Sequence, residues 1–292
     1  MEIILDEERY AESILKNGVI NDKIPNILNI LAKYYYHVFG YRKKKIQKLL
    51  TEFMELNYNN YCLNKVQWDE TIEKIAAKTG KSRLFKSAGV CITKPEMHVI
   101  TSIRDEKLER IYFALMCIAK LWNQKKENNN GWVNLDLKSV FELARVNAKR
   151  RERNFKINDL YAKNLIDLPK NITNTSIKVL EINENGDEEL FVSDFRELGY
   201  EYLKYKGQNF IRCANCGILT RGNKRDTKKY CNACAGYLKK GLKTVICVDC
   251  GKEFKVDSRN MKKIRCDKCQ EKYRKKIVNE NAKKYYILKK KQ

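Results

Sequence analysis

The apolar positions of the first 120 residues recur every three or four residues. Ile24, Ile27, Leu28, Leu31, Tyr34, Tyr35 and Val38 form one stripe, and Pro25 is tolerable in the first turn of a helix starting after Asn21 or Asp22. Ile46, Leu49, Leu50 and Phe53 form a second stripe behind the basic "YRKKK", and Trp68, Ile72 and Ile75 a third, weaker one. "TKPE" at 93–96 has the form of a capping box with an internal proline. It opens a long helical stretch whose apolar face is Leu108, Ile111, Tyr112, Leu115 and Ile118. These stripes are core packing. They predict a helical domain over residues 1–128, closed by the polar "NQKKENNNG" at 123–131.

The order of elements then changes. "LDLKSVFELARV" (135–146) predicts a helix, "NA" a tight break, and "KRRERNFKINDLYAKNLI" (149–166) a second helix with Ile157, Leu160 and Tyr161 inward. The alternating segments "SIKVLEI" and "EELFVSDF" are joined by "NENGD", whose Asn-Gly is a hairpin signal. Helix, turn, helix and β-hairpin is the order of a winged helix-turn-helix, here over residues 129–206. Its second helix would enter the major groove with Lys149, Arg150, Arg151, Arg153 and Lys156 on the exposed side. A solvated basic helix in a purely structural winged helix is an equally weighted alternative. The acidic wing, with Glu184 and Asp187 to Glu189, also counts against contact with phosphate. A short helix, "DFRELGYEYLKYKG", leads out of this domain.

Eight of the eleven cysteines then fall into four C-x-x-C pairs, in a chain with only two histidines. The first set, Cys213, Cys216, Cys231 and Cys234, reads C-x2-C-x14-C-x2-C. The second, Cys247, Cys250, Cys266 and Cys269, reads C-x2-C-x15-C-x2-C. Overlaid, they are an internal repeat, with a glycine after each first knuckle (Gly217, Gly251) and a Lys-Lys just before each second one. A C-x-x-C turn puts two thiolates on one side of a cation, and a hairpin of this length brings in the second pair. The glycine allows backbone N–H groups to point at sulfur. Four thiolates in a tetrahedron suit zinc, and a closed four-ligand site is structural. The expectation is two zinc ions ligated sequentially, with an interleaved cross-brace as the minority alternative. Residues 207–241 and 242–292 would be two modules whose folding energy is metal binding. Cys62, Cys91 and Cys117 read as small buried hydrophobes.

Charge changes the picture further. The chain carries a formal +24, yet from Arg212 onward 25 Lys and Arg stand against 7 Asp and Glu, a net of +18, leaving +6 for residues 1–211. Two four-thiolate zinc sites would still leave about +14 there. A field that dense attracts polyanions, with nucleic acid foremost. Lys224, Arg225, Lys228, Lys229, Lys262, Lys263, Arg265 and the tail with Lys272, Arg274, Lys275 and Lys276 are the candidate phosphate contacts, and Tyr230, Phe254 and Tyr273 the candidate stacking surfaces. The C-terminal stretch after Cys269 predicts a basic helix.

Catalytic chemistry has no foothold. His37 and His98 lie far from the cysteines, and no G-x-x-x-x-G-K-[ST], G-x-S-x-G or H-E-x-x-H string occurs. The acidic N-terminus lacks a signal-peptide pattern and no run of eighteen apolar residues exists, so a cytoplasmic protein of a bacterial host is expected, without membrane or small-molecule partners. The stretch "DFRELGYEYLKYKGQNFIRCANCG", followed by "KKYCNAC", resembles a group of uncharacterised phage and prophage proteins of low-GC Gram-positive bacteria. There a helical region and a winged-helix-like segment precede a cysteine module. The resemblance covers most of the chain up to Cys234, and it carries over only the cysteines, as metal ligands. The knuckles also resemble zinc ribbons and treble clefs, which serve DNA, RNA and protein binding alike.

The expected protein is mainly α-helical, with a helical N-terminal domain, a winged-helix-like middle domain and two tandem four-cysteine zinc-ribbon or knuckle modules at the C-terminus. Its expected role is a non-enzymatic DNA-binding regulator of phage transcription or replication. The alternatives are an anti-defence (anti-CRISPR-like) inhibitor of a host nuclease or nucleoprotein, and an RNA-binding factor.

Overall fold

The computed structural model describes residues 3–18, 23–169, 176–223, 225, 227–238, 242–257 and 263–289. It divides into two compact units, Met1–Phe210 and Ile211–Gln292.

The first unit begins with α1 (Glu7–Asn17), α2 (Ile24–His37), α3 (Lys43–Asn57) and α4 (Lys65–Lys78). Asp6 caps α1 by accepting from the N–H groups of Glu8 and Arg9, both at 3.0 Å. The three stripes read from the sequence face one another. Leu28, Leu31, Ile46, Leu50, Met54 and Ile72 are fully buried in one apolar cluster, while Val38 at the end of the first stripe stands in solvent.

A second cluster is built around α6 (Glu106–Lys125), in which every residue from Leu108 to Leu121 is buried. The expected apolar face is therefore only part of a helix enclosed on all sides. β1 (Val90–Thr93) and α5 (Lys94–Ser102) precede it, and the capping box at Thr93 and Glu96 is present. The long helical stretch expected after "TKPE" is broken, because Arg104 takes a left-handed φ of 57° and Asp105 caps α6 afresh. Although α5 and α6 precede residue 128, their buried apolar side chains belong to the second cluster and not to that of α1–α4.

Around α6 follow β2 (Trp132–Val133), α7 (Leu137–Leu143), α8 (Arg150–Ala162), β3 (Ile166–Asp167), β4 (Ile177–Val179), β5 (Glu188–Val192) and α9 (Leu198–Tyr205). The expected hairpin between residues 176–182 and 188–195 does not form. β4 lies between β2 and β3 in an antiparallel three-stranded sheet of order β2-β4-β3, whereas β5 pairs with β1, Val90 opposite Val192. The loop between them is held by the buried Glu96 carboxylate at the start of α5. It accepts from Lys120 Nζ at 2.8 and 2.9 Å, from the Thr93 N–H at 2.8 Å and from the Asn183 N–H at 2.9 Å. Lys94 N–H donates to the Asp187 carbonyl at 2.8 Å. The 183–187 loop is thus tied across the start of α5, and its flanking strands diverge into different sheets. Gly186 is there for close approach, since a Cβ would meet Pro95 Cδ at 2.9 Å; it does not have the positive φ of a type I′ turn.

The turn between α7 and α8 is fixed from two sides. Arg145 closes α7 with φ 53°, and its guanidinium makes a bidentate pair with Glu197 just before α9. Arg110 of α6 donates to the carbonyls of Ala144 and Arg145. Gly199 sits so close that a Cβ would lie 1.9 Å from the Ala144 oxygen.

β6 (Phe210–Arg212), which starts at the boundary, pairs with β7 (Leu219–Arg221), and the second unit then holds α10 (Asn232–Leu238), the hairpin β8 (Leu242–Ile246) with β9 (Glu253–Asp257), and α11 (Asp267–Lys289). Among the described residues, neither apolar cluster contains one from this unit. Among the described residues of the chain, no helix is long and apolar enough to cross a membrane.

Candidate metal centres and basic surfaces

The eight paired cysteines assemble as two sequential sets, Cys213, Cys216, Cys231 and Cys234, and Cys247, Cys250, Cys266 and Cys269. Within each set all sulfurs lie within 4.8 Å of one another, and each set can hold a metal ion. All eight are free thiols, and the interleaved arrangement is not the one formed.

The two sets are built alike. Gly217 and Gly251, with φ of 69° and 67°, turn the first knuckles, and their N–H groups donate to the carbonyls of Cys213 at 2.8 Å and Cys247 at 2.9 Å. The knuckle is closed by Cys213 N–H to Ile218 O at 2.9 Å in one set and Cys247 N–H to Lys252 O at 3.0 Å in the other. The second pair is not delivered by a hairpin, as the spacing suggested. Cys231 and Cys234 stand at the start of α10, and Cys266 and Cys269 at the start of α11. A helix start offers unpaired N–H groups and the positive end of the macrodipole, which favours thiolate. Cys234 N–H donates to Cys231 Sγ at 3.4 Å, and Cys266 N–H to Cys247 Sγ at 3.3 Å.

Backbone donors and crowded sulfurs split the thiols of each set. Cys213 is raised by desolvation, but N–H groups of Cys231, Cys216 and Asn215 outweigh this and draw it down to about 6. The N–H of Cys266 leads the same shift at Cys247, again to about 6. At Cys234 the Asn215 amide pulls downward, yet the sulfurs of Cys216 and Cys231 push the thiol up to about 12; Cys266 and Cys250 do the same to Cys269. A proton-sharing cluster of this kind is what four sulfurs make when they converge on one point.

The cysteine spacing alone does not single out Asn215, yet its Nδ2 lies 3.3 Å from Cys234 Sγ. The overlay of the repeats carries the signal, because the matching position is Asp249, which holds Arg265 Nε at 2.8 Å. Outside the sets, Cys117 is buried in the second core, Cys91 is half-buried and Cys62 is exposed, so only the first fits a buried hydrophobe fully.

The candidate phosphate contacts divide into groups. On α8, Lys149, Arg150 and Arg151 are exposed, whereas Arg153 and Lys156 are half-buried. Tyr161, expected inward, is half exposed at 50%. In the second unit Arg225, Lys229, Lys272, Arg274, Lys275 and Lys276 are exposed, Lys275 with Glu271 at 3.0 Å. Three others are engaged within their own modules. Lys228 Nζ donates to Arg221 O at 2.8 Å, Lys263 pairs with Asp267 at 2.6 Å, and Arg265 pairs with Asp249 while lying 4.0 Å from the Tyr273 ring centroid. Lys224 and Lys262 lie outside the described residues. Of the candidate stacking residues, Tyr230 and Tyr273 are exposed and Phe254 is half-buried, with Lys263 Nζ 6.0 Å from its ring centroid.

No family model matches this chain, and neither a curated protein nor a solved structure matches it significantly.

Proposed function

We propose that the chain is a non-enzymatic, zinc-holding protein that binds duplex DNA through a winged helix-turn-helix formed by residues 106–179. The observation that carries this is the order α6-β2-α7-α8-β3-β4 with the sheet order β2-β4-β3, and a basic start of α8 facing solvent. In such a module α8 is the groove-entering helix. Residues 170–175, between β3 and β4, lie outside the described residues. The acidic loop at 184–189 leads from β4 into β5, which belongs to a different sheet.

Zinc is the metal that suits the two cysteine sets. Tetrahedral bonds of about 2.3 Å give sulfur–sulfur edges of about 3.8 Å. Cys216 and Cys231, and Cys250 and Cys266, stand 3.8 Å apart. Closed by four protein ligands, each ion would stabilise a small module and leave no open position for substrate. The basic residues each module exposes then add phosphate contacts, in keeping with a phage regulator of transcription or replication.

A gel competition between duplex DNA, single strands and RNA, at several salt concentrations, tests this reading. Duplex DNA should win, with affinity falling steeply as salt rises and with charge reversal of Lys149 and Arg150 weakening all duplex sequences alike. Affinity indifferent to salt would overturn it, and preference for RNA would favour an RNA-binding factor instead. One observation favours a protein partner, such as a host nuclease or nucleoprotein. Ile246, Val248 and Ile264 are exposed beside the second cysteine set, with Val248 N–H bonded to Ile264 O at 3.1 Å. A stoichiometric partner kept after nuclease treatment, and lost on Val248→Ser, would support that role.

A further inference from the structure

Each residue of an α-helix advances about 100° around the axis. In α8 the buried pair is Ile157 and Leu160. The line opposite them runs through Arg151, Phe155, Asn158 and Ala162, all exposed. This is not a line of positive charge: Arg153 lies on the buried side, one turn before Ile157, and Lys156 on the flank, both half-buried, with Lys156 within electrostatic reach of Asp105. It is flanked by Glu152 and Asp159, both exposed, so the face is poorly suited to lying along phosphate. Its centre is Phe155, which keeps 55% of its surface in water, with the Arg151 guanidinium 5.5 Å from the ring centroid.

We propose that Arg151, Phe155 and Asn158 read base edges in the major groove of duplex DNA, while Lys149 and Arg150 at the start of the helix hold phosphate. The proposal rests on the DNA-binding reading above and adds sequence specificity to it. From Arg151 to Asn158 the helix rises about 10 Å, close to three base-pair steps of about 3.4 Å. Arginine pairs with O6 and N7 of guanine, asparagine with N6 and N7 of adenine, and a phenyl ring packs on the 5-methyl of thymine. The recognised site therefore contains guanine, thymine and adenine within a few base pairs. Double-stranded RNA is excluded as the target of this face, since its major groove is too narrow for side chains to read and uracil has no methyl group.

The test uses the full chain with zinc bound and a pool of random duplex DNA, from which bound sequences are selected. The wild type should enrich a short motif. Asn158→Ala should flatten the preference at one adenine by roughly tenfold, with affinity for random duplex held within about twofold. Replacing the motif's thymine by uracil should weaken the wild type several-fold and leave Phe155→Ala indifferent. Both side chains are exposed, and thermal unfolding of each variant checks that the fold is kept. If the wild type binds duplex DNA but enriches no motif, base reading by α8 is overturned and DNA binding stands. A motif unchanged in both variants, or equal loss on selected and random DNA, overturns it as well. If the wild type binds no duplex DNA at all, the proposed function fails together with the inference.

Discussion

The two units solve the problem of staying folded by different means. In the first, every residue from Leu108 to Leu121 disappears from solvent, and two apolar clusters account for the packing of its described helices and strands. In the second, the buried apolar residues outside the ligands are few among the described residues, Leu219 and Val256 being two, and the interior belongs to Cys213, Cys231 and Cys247. Apolar burial contributes about 25 cal/mol per Å², so a module of roughly 35 residues that buries so little cannot offset its chain entropy. A bound metal, contributing about 10–16 kcal/mol in small zinc modules, can. Where hydrophobic area is short, coordination takes its place.

Metal removal should separate the two most sharply. With a strong chelator the second unit loses α10, α11 and both hairpins, while the first unfolds at its usual midpoint. Circular dichroism against metal content, alongside thermal unfolding, reads both. Two equivalents of zinc should be released, and one each from Cys213→Ser and Cys247→Ser. Loss of the first unit's transition on chelation would break the comparison.

The next effect belongs to the first unit alone. Glu96 and Lys120 are a buried pair with side-chain exposures of 0% and 9%, and Glu96 also holds the backbone of Thr93 and Asn183. Glu96→Ala strands the Lys120 ammonium in the core and frees the 183–187 loop, at a cost of about 3–5 kcal/mol. Denaturant unfolding should show it, with zinc content unchanged.

That pair also marks where the sequence stops being readable. The cysteine sets are legible because their ligands are bound to a spacing that local turns dictate, and the helices because a buried stripe must repeat at about 3.6 residues. The partner of a strand is not local. Residues 176–195 carry every sign of a hairpin, yet β5 pairs with β1, and a carboxylate about ninety residues earlier, folded against Lys120, holds Asn183 between the two halves. Tyr161 departs from expectation for a related reason: its spacing from Ile157 suits a buried face, but Ile157 and Leu160 alone meet the core. The solvent-facing line of α8 is hidden in the sequence because Phe155 resembles a core residue until the helix is placed.

Acid should affect the first unit through Glu7. Burial raises this carboxyl, but hydrogen bonds from Lys125, Lys33 and the Phe85 N–H outweigh it and hold it below its ordinary value of 4.5. A carboxyl lowered in the folded state stabilises fully above its unfolded value and less as pH falls through the folded one. Glu7→Gln should therefore cost about 2 kcal/mol at neutral pH, and the difference from wild type should shrink below about pH 4. A difference that stays constant from neutral pH down to about pH 3 would show that Glu7 acts through shape and not through its charge.

The smallest effect tests whether the two cysteine sets are as alike as their backbones. Gly251 has φ of +67° and a Cβ there would meet nothing within 4 Å, so Gly251→Ala brings backbone strain and no clash. A left-handed alanine costs about 1 kcal/mol, which is roughly a five- to tenfold loss of metal affinity in the second set with the first set unaffected. Competition with a metal-binding dye, resolved into two sites, measures it. A much larger loss would mean that the N–H of Gly251, 2.9 Å from the Cys247 carbonyl, holds the knuckle only while the glycine is free to turn.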